Sequence, residues 1–223
     1  MRVARFLGLS SVVSGCVAIV LVFAVLAGAT GPADRAVASI LVPGSQDSVT
    51  RTSFLAGDAF WSWVPFSAPG SGVVTVAVTV IATLALLLAR RWLAGLLCAV
   101  ATSGGYALMY AVKAGVARSR PTVDLRDALS PDSLGLAAWD PASGAFPSGH
   151  AMLSLVVYGY LASSLPPSLR PVGWALALAI ALVVGASRVA LEAHWPSDVL
   201  GGWLIGAAWL LALLAVRAAL LRS

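Results

Sequence analysis

The chain contains only two histidines, and each stands beside residues that suit phosphate chemistry. His150 closes the segment 147–150 (PSGH), and His194 is followed four residues later by Asp198. Imidazoles beside an anion site suit nucleophilic or acid–base catalysis, because their charge changes near neutral pH. If the chain turns into a helix after His194, the Asp198 carboxylate can hold one ring nitrogen, fix the tautomer and leave the other nitrogen free to attack.

Three basic side chains near these segments predict a site for a tetrahedral dianion. They are Lys113, Arg120 and Arg188, and the two guanidinium groups suit forked contacts with phosphate oxygens. Ser148 and Gly149 open a predicted helix, whose first N–H groups and dipole form a seat for an anion. Gly149 has no side chain, so the backbone can approach a ligand closely there.

The composition places these residues in a membrane protein. Of 223 residues, 60% are hydrophobic and only 10% are charged, and the mean hydropathy is +0.93. Soluble domains carry about 25% charged residues, so this composition excludes a typical cytosolic enzyme and a disordered chain. The net charge of +5 comes from scattered arginines and one lysine rather than from a basic run, which excludes nucleic acid as a partner.

Six apolar segments predict transmembrane helices, since a bilayer core needs about 20 residues per helix. Pro166, Pro167 and Pro171 break the chain between the fourth and fifth segments. We therefore expect an all-α, polytopic membrane protein with six transmembrane helices in a single domain, residues 1–223. The predicted spans are 7–29, 70–89, 92–113, 149–166, 171–188 and 199–219.

The charged residues predict the direction of these spans, because cytoplasmic loops carry an excess of Lys and Arg. Six crossings put seven basic residues on one side without any acidic residue, and all nine acidic residues on the other side. We expect both termini to be cytoplasmic and the two histidines to lie at the extracytoplasmic face. The seven basic residues are Arg2, Arg5, Arg90, Arg91, Arg170, Arg217 and Arg222.

Three features admit two interpretations each. The first apolar run is favoured as an uncleaved helix, although a cleaved signal peptide has a similar pattern. Residues 30–69 suit either an interfacial stretch with aromatic anchors or a simple capping loop. Gly202 and Gly206 favour close helix packing within the bundle over dimerisation.

Some residues have no predicted catalytic task. Cys16 and Cys98 lie in apolar runs, so we expect two small buried side chains rather than a disulfide or a zinc site. We expect Arg118 and Arg126 to contact loops or lipid headgroups. Glu192 stands close to His194 in the sequence without an assigned role.

Three motifs occur in a fixed order along the chain. They read Lys113-x6-Arg120-Pro121, then Pro147-Ser148-Gly149-His150, then Ser187-Arg188-x5-His194-x3-Asp198. This combination resembles the type 2 phosphatidic acid phosphatase (PAP2) superfamily, the lipid phosphate phosphatases, in residue types, order and spacing. The resemblance covers residues 113–198 directly, and the six-helix layout extends it to the whole chain.

The resemblance implies a role for each motif residue. His194 would be the nucleophile that forms a phosphohistidine intermediate, and Asp198 would orient it. His150 would protonate the leaving oxygen and later help to activate water. The family needs no metal ion or other cofactor, and the sequence itself offers no carboxylate cluster suited to Mg²⁺ or Zn²⁺ at this face. The residues implied to hold the phosphoryl oxygens are Lys113, Arg120, Ser148, Gly149 and Arg188.

The implied activity is hydrolysis of a lipid phosphate in the bilayer. Undecaprenyl pyrophosphate, phosphatidic acid and phosphatidylglycerol phosphate are the expected candidates. A lipid phosphotransferase would use the same phosphoenzyme and pass the phosphoryl group to an alcohol. A non-catalytic membrane protein that binds an anion or lipid is a third interpretation, although transporter sites usually lie at the bilayer midplane between inverted repeats. The sequence leads to no prediction of the oligomeric state.

Overall fold

The computed structural model describes residues 2–42, 61–121 and 144–221, and every regular element in these ranges is helical. The predicted all-α fold is therefore confirmed for these ranges. The predicted contacts of Arg126 lie outside the described residues. The helices are α1 (Arg2–Leu26), α2 (Gly31–Leu41), α3 (Val64–Ser67) with a 3₁₀ turn (Ala68–Gly70), α4 (Gly72–Leu88), α5 (Trp92–Val116), α6 (Gly149–Ser164), α7 (Arg170–Ala190) and α8 (Pro196–Leu220).

Each predicted span corresponds to a helix, but not every helix is long enough to cross a bilayer alone. Helices α1, α5, α7 and α8 are long and apolar enough. A fifth span results if α4 is joined to the α3 segment, from which it is bent by 44°. Helix α6 has 16 residues, which extend over about 24 Å, whereas the hydrocarbon core is about 30 Å thick. Length and composition thus support four or five spans among the described helices, rather than the six predicted.

Helix α6 is short because it is the centre of the bundle rather than a helix that faces lipid. Eleven of its 16 residues are buried, and it packs against α5, α7 and α8. At its far end, the Tyr160 hydroxyl donates to the carbonyl of Ala94 in α5 at 2.8 Å. Since neighbouring helices cover its surface, the length of α6 does not need to match the bilayer.

Two glycines let α8 approach α6 closely. A Cβ atom at Gly202 would lie 2.6 Å from the carbonyl oxygen of Ser148, and one at Gly206 would lie 3.1 Å from that of Met152. Both contacts are to backbone atoms, which cannot rotate out of the way as a flexible side chain can. The prediction that these glycines serve packing within the bundle is confirmed.

Helix α1 packs along α8 and exposes its opposite face. The Ser11 hydroxyl donates to the carbonyl of Ala208 at 2.8 Å, while large apolar side chains such as Phe6 and Phe23 point outward. Cys16 lies on this exposed face, so the prediction that it is buried is wrong. An apolar run marks a helix as membrane-embedded but does not tell which face meets protein and which meets lipid. Cys98 is buried, as predicted.

The described parts of the segment 30–69 are helical rather than a simple loop. Helix α2 packs against α7 and α8, and its first turn carries the buried carboxylate of Asp34. The α3 segment and its 3₁₀ turn pack against α6 and α7. Trp63 and Phe66 make an edge-to-face contact, with ring centroids 5.9 Å apart. Both parts of this segment therefore lie against helices that carry the predicted site.

We expect Gly202→Ala to lower the melting temperature of the purified protein. The added methyl group would collide with the backbone of α6, and overpacking of this kind costs about 1–3 kcal/mol. Gly15→Ala in α1 is the matched control, because a Cβ there meets no atom within 4 Å. Thermal unfolding in detergent, followed by circular dichroism, measures both variants. Equal melting temperatures would contradict the close approach of α8 to α6.

Candidate active site

Four chain segments meet at one end of the bundle and carry the predicted site residues. They are the end of α5 with the residues that follow it, the start of α6, the end of α7 with the turn after it, and the start of α8. Electrostatic interactions link His150 in α6 with Arg188, His194, Arg120 and Lys113 from the other segments. The convergence that the three motifs predict is therefore present in the fold.

His194 is held against the end of α7 by a reversal of the chain. Helix α7 ends at Ala190, and Glu192 adopts the left-handed backbone conformation with φ of 48°. The N–H groups of Ala193 and His194 then both donate to the carbonyl of Arg188, at 3.1 and 3.2 Å. The spacing of the third motif thus brings His194 back to Arg188, and Glu192 provides the turn.

Asp198 is fixed at the start of α8, within reach of His194. Its Oδ2 atom accepts a hydrogen bond from the backbone N–H of Trp195 at 2.8 Å and lies 3.7 Å from Nδ1 of His194. The second distance is longer than a hydrogen bond, but such contacts in ligand-free sites are often long and tighten when the reacting complex forms. The placement supports the predicted pairing of Asp198 with one ring nitrogen.

The other ring nitrogen of His194 faces a cation. Nη1 of Arg120 lies 3.3 Å from Nε2 of His194 and donates to the carbonyl of Ala193 at 2.9 Å. A guanidinium beside this nitrogen can hold a phosphoryl oxygen next to the atom that would attack phosphorus. Asp198 and Arg120 therefore lie at opposite nitrogens of the same ring.

Burial sets the charge of His194. The side chain is 3% exposed, and this burial lowers the pKa of His194 well below its ordinary value. The positive charges of Arg120, Arg188 and Lys113 lower the pKa further. His194 is consequently neutral at pH 7, which is the form with a free lone pair.

The start of α6 is tied to α8 and keeps its polar groups available. The N–H of Ser148 donates to the carbonyl of Asp198 at 2.9 Å, while its hydroxyl makes no capping bond. Gly149 packs against the sulfur of Met109, where a Cβ would collide. The N–H groups of a first helical turn have no partner within their helix, so this end suits an anion.

Several buried polar atoms at this end have no hydrogen-bond partner among the described residues. Leaving such an atom buried and unpaired costs about 1–3 kcal/mol. Groups of this kind in a native fold call for a specific explanation, and a polar ligand that they would bind is one. The atoms are Oγ of Ser148, Nε2 of His150, Nε of Arg188 and Nδ1 of His194.

Two of the predicted phosphate-binding cations are oriented by neutral oxygens. The ammonium group of Lys113 donates to the carbonyl of Gly144. Arg188 donates through Nη1 to the hydroxyl of Ser67 at 2.7 Å, and both side chains are buried. Ser67 was not predicted as a site residue, and no motif marks it, since it stands 121 residues from Arg188.

Arg118 contacts Thr30 in the turn before α2, in line with the predicted loop contact, but it also bridges two carboxylates. Its Nη1 donates to Oδ1 of Asp198 at 2.6 Å, and its Nη2 donates to Oδ2 of Asp34 at 2.7 Å. Asp34 also accepts from the N–H and the hydroxyl of Ser197, at 2.8 and 2.7 Å. The prediction missed this bridge because Asp34 comes from α2, 84 residues away, and local sequence gives no sign of that contact.

The arrangement suits the transfer of a phosphoryl group. Three cations from two segments interact with His150 and His194 and match the charge that builds up on phosphoryl oxygens. A neutral imidazole paired with a carboxylate supplies the nucleophile. Within residues 2–42, 61–121 and 144–221, no group of three or more His, Cys, Asp or Glu side chains is placed to hold a metal ion.

Two curated relatives match the motif-bearing part of the chain. An undecaprenyl-diphosphatase from Sulfolobus acidocaldarius is 36% identical over 66 residues, which are 30% of this chain and 30% of that protein. Phosphatidylglycerophosphatase B from Bacillus subtilis is 39% identical over 71 residues, which are 29% of this chain and 35% of that protein. The match thus spans about a third of the length of these relatives.

Two further comparisons cover more of the chain than these relatives do, one with a solved structure and one with a family model. A crystal structure of a transmembrane PAP2 type phosphatidylglycerolphosphate phosphatase from Bacillus subtilis aligns over 94% of this chain and 96% of that one, with 24% identity and a TM-score of 0.73. Together with the apolar helices, this likeness indicates a multi-pass membrane protein. A family model described as the PAP2 superfamily matches residues 92–222, which contain all three motifs. The chain therefore belongs to the PAP2 superfamily.

Proposed function

We propose that this protein is a lipid phosphate phosphatase that works through a phosphohistidine at His194. The observation that carries this proposal is the placement of a neutral, buried imidazole between the Asp198 carboxylate and the Arg120 guanidinium. A protein that only binds an anion needs the cations but not this pairing. Membership of the PAP2 superfamily supports the same conclusion.

In the first proposed step, the lone pair on Nε2 of His194 attacks phosphorus. The bond from phosphorus to the lipid oxygen breaks, and that oxygen takes a proton from His150. The His194 ring becomes a cation as its phosphorus–nitrogen bond forms, and the Asp198 carboxylate stabilises that charge through Nδ1. The three cations and the Ser148 hydroxyl hold the phosphoryl oxygens during transfer.

In the second proposed step, water resolves the phosphoenzyme. His150, now neutral, takes a proton from a water molecule as its oxygen attacks phosphorus. The phosphorus–nitrogen bond breaks, its electron pair returns to Nε2 of His194, and inorganic phosphate leaves. Both histidines are thereby restored, so no external oxidant, reductant or nucleotide is consumed.

We infer that the substrate is an anionic phospholipid or a polyprenyl diphosphate whose phosphate lies at the membrane surface. The site lies at the ends of apolar helices, so a phosphate at headgroup depth can enter it while the lipid tail stays in the bilayer. The two matched relatives are named for an undecaprenyl diphosphate and a phosphatidylglycerophosphate substrate. Phosphatidic acid completes the set of candidates that share this chemistry.

We further propose a single domain over residues 1–223 that crosses the membrane six times. In this topology α6 and α4 cross with the longer helices, both termini are cytoplasmic, and the site opens at the extracytoplasmic face. The absence of acidic residues from the predicted cytoplasmic side supports the direction. The packing of α1 along α8 supports one unit rather than two.

We expect His194→Ala to lower phosphate release by at least about 1000-fold, because it removes the nucleophile. Release by the unaltered protein should be unaffected by excess EDTA, since cationic side chains carry the role that a metal plays in other phosphatases. The assay uses detergent-purified protein with undecaprenyl pyrophosphate, phosphatidic acid and phosphatidylglycerol phosphate, and it follows free phosphate and lipid products. Full activity in His194→Ala, or loss of activity in EDTA, would refute this mechanism.

Two arginines at opposite ends of α7 provide a test of the phosphate site and its matched control. Arg188 is buried in the site, whereas Arg170 is exposed at the far end and donates to the carbonyl of Leu165. We expect Arg188→Ala to reduce kcat/KM by on the order of 100-fold, as loss of one charge-stabilising donor does. Arg170→Ala should leave kcat/KM unchanged. A similar loss in both variants would indicate that the helix is destabilised rather than that phosphate binding is lost.

The pH dependence of kcat/KM should report the neutral state of His194. Protonation removes the attacking lone pair, and the pKa of His194 is lowered in the ligand-free protein by burial and by Arg120, Arg188 and Lys113. Because the first step also needs a protonated His150, kcat/KM should fall at high pH as well, and we expect the decline on the acid side, which reports His194, to have its midpoint below about pH 6.5. The substrate phosphate also ionises in this pH range, so its pKa is measured separately by phosphorus NMR and the kcat/KM profile is corrected for it. If the decline of kcat/KM on the acid side had its midpoint above that pH, the result would contradict a lowered pKa of His194.

Cysteine labelling tests the proposed topology. Ser119 and Ser168 are both exposed, the first beside the site and the second beyond the far end of α6. In a background of Cys16→Ser and Cys98→Ala, we expect Ser119→Cys to react with a membrane-impermeant maleimide in intact cells. Ser168→Cys should react only after lysis. Labelling of both residues in intact cells would show that α6 does not cross the membrane.

A further inference from the structure

Arg118 occupies a position from which it cannot serve the phosphate directly. Its two terminal nitrogens are both engaged, Nη1 with Asp198 and with the Ser197 hydroxyl, and Nη2 with Asp34. The two carboxylates that it bridges are 0% and 3% exposed at their side chains, and Arg118 itself is 16% exposed. The guanidinium thus lies between two buried acids and binds the Asp198 oxygen that does not face His194.

Asp34 connects this bridge to a helix outside the three motifs. Its Oδ1 accepts from the N–H of Ser197 in the first turn of α8, and its Oδ2 accepts from the Ser197 hydroxyl and from Arg118. A carboxylate at a helix N-terminus satisfies an otherwise unpaired N–H and interacts favourably with the helix dipole. Residue 34 also precedes the segment matched by the family model, which begins at residue 92.

We propose that Asp34 and Arg118 are positioning residues that hold the Asp198 carboxylate in the orientation which aligns His194. The contacts form a continuous chain from Asp34 through Arg118 to Oδ1 of Asp198, whose other oxygen faces Nδ1 of His194. This inference rests on the proposed role of His194 as nucleophile. It assigns a part in the reaction to α2, a helix that contributes no motif residue.

Arg118 can have this role because a hydrogen bond to one oxygen of the Asp198 carboxylate restricts rotation of the group and so fixes the position of the other oxygen. Arg118 binds Oδ1, and the backbone N–H of Trp195 binds Oδ2 from a different direction, so the carboxylate plane is defined by two partners. Without Arg118, a single hydrogen bond would remain from these two, and the carboxylate could rotate away from His194. The Trp195 ring, 5.8 Å from the Arg118 guanidinium, restrains the cation on its other side.

Asp34 in turn shares the positive charge of Arg118 with Asp198 and holds one of the guanidinium nitrogens. If Asp34 were neutral, Arg118 would place its whole charge on Asp198, and its second nitrogen would lose a charge-assisted hydrogen bond. The Asp198 carboxylate would then be less able to stabilise a cationic His194 ring. Asp34 therefore acts on the reaction only through Arg118, and this dependence is what the experiment has to detect.

The test compares Arg118→Gln, Arg118→Lys and Asp34→Asn in the purified full chain. The probes are phosphatidic acid, undecaprenyl pyrophosphate and phosphatidylglycerol phosphate. We expect Arg118→Gln to lower kcat by up to about 100-fold, as misplacement of a reacting group by an ångström does. KM should change by less than about threefold, because the cations that bind phosphate remain. Arg118→Lys keeps the charge but offers one nitrogen for two carboxylates, so its kcat should lie between those of Arg118→Gln and the unaltered protein.

A double-mutant cycle isolates the dependence of Asp34 on Arg118. We expect Asp34→Asn to lower kcat in the unaltered background and to have little further effect in Arg118→Gln. Independent, multiplicative effects would mean that Asp34 only caps α8, and that result would overturn the proposed chain. A fall in kcat/KM that comes from KM alone would overturn it as well, because it would make Arg118 a substrate contact.

The matched control is Arg217→Gln at the other end of the bundle. Arg217 donates to the hydroxyls of Ser163 and Ser164, so its loss also breaks hydrogen bonds of an arginine but far from the site. Its kcat should equal that of the unaltered protein, and each variant is compared at an equal folded fraction measured by size-exclusion chromatography. If the unaltered protein releases no phosphate from any of the three lipids, the proposed function fails; if it is active and Arg118→Gln retains full kcat, only the positioning proposal fails.

Discussion

The buried carboxylate of Asp198 is the constraint on which this end of the bundle depends. It has no exposed surface, and an ion in such a place costs several kcal/mol unless it is paired and hydrogen-bonded. Arg118, the N–H of Trp195 and the start of α8 together offset that cost. Because these partners come from different segments, pairing this one charge also fixes the loop after α5, the turn after α7 and, through Arg118, helix α2.

The cations of the predicted phosphate site also bond to neutral oxygens. Among the described residues, Lys113 donates to the carbonyl of Gly144, Arg120 to the carbonyl of Ala193, and Arg188 to the hydroxyl of Ser67. Neutral oxygens direct a cation without cancelling its charge. Arg118 meanwhile is paired with Asp34 and Asp198. In the proposed reaction, the Arg188 guanidinium, which a neutral oxygen orients, thus serves the phosphoryl group, whereas Arg118 serves the two carboxylates.

Close backbone contacts bring these groups together at the ends of helices. Gly149 lies against Met109, Gly202 against the carbonyl of Ser148, and a Cβ at Gly70 would lie 2.8 Å from the carbonyl of His150. Each contact joins a neighbouring segment to the first turn of α6. That helix is almost wholly enclosed by protein, so its start is held from several sides and can present Ser148 and His150 in a defined geometry.

The sequence by itself determined the helical class, the approximate helices and the three motifs with their convergence at one end, because hydropathy and motif spacing are properties of nearby residues. It also indicated that Gly202 and Gly206 pack within the bundle. Only the tertiary structure decided that Arg118 bridges Asp34 and Asp198, that Ser67 orients Arg188, and that Cys16 faces outward. The bridge from Arg118 to Asp34 and the bond from Arg188 to Ser67 join residues 84 and 121 positions apart, and the outward face of α1 is set by where it packs on α8. Local spacing carries no information on such contacts, since they exist only once the helices have packed.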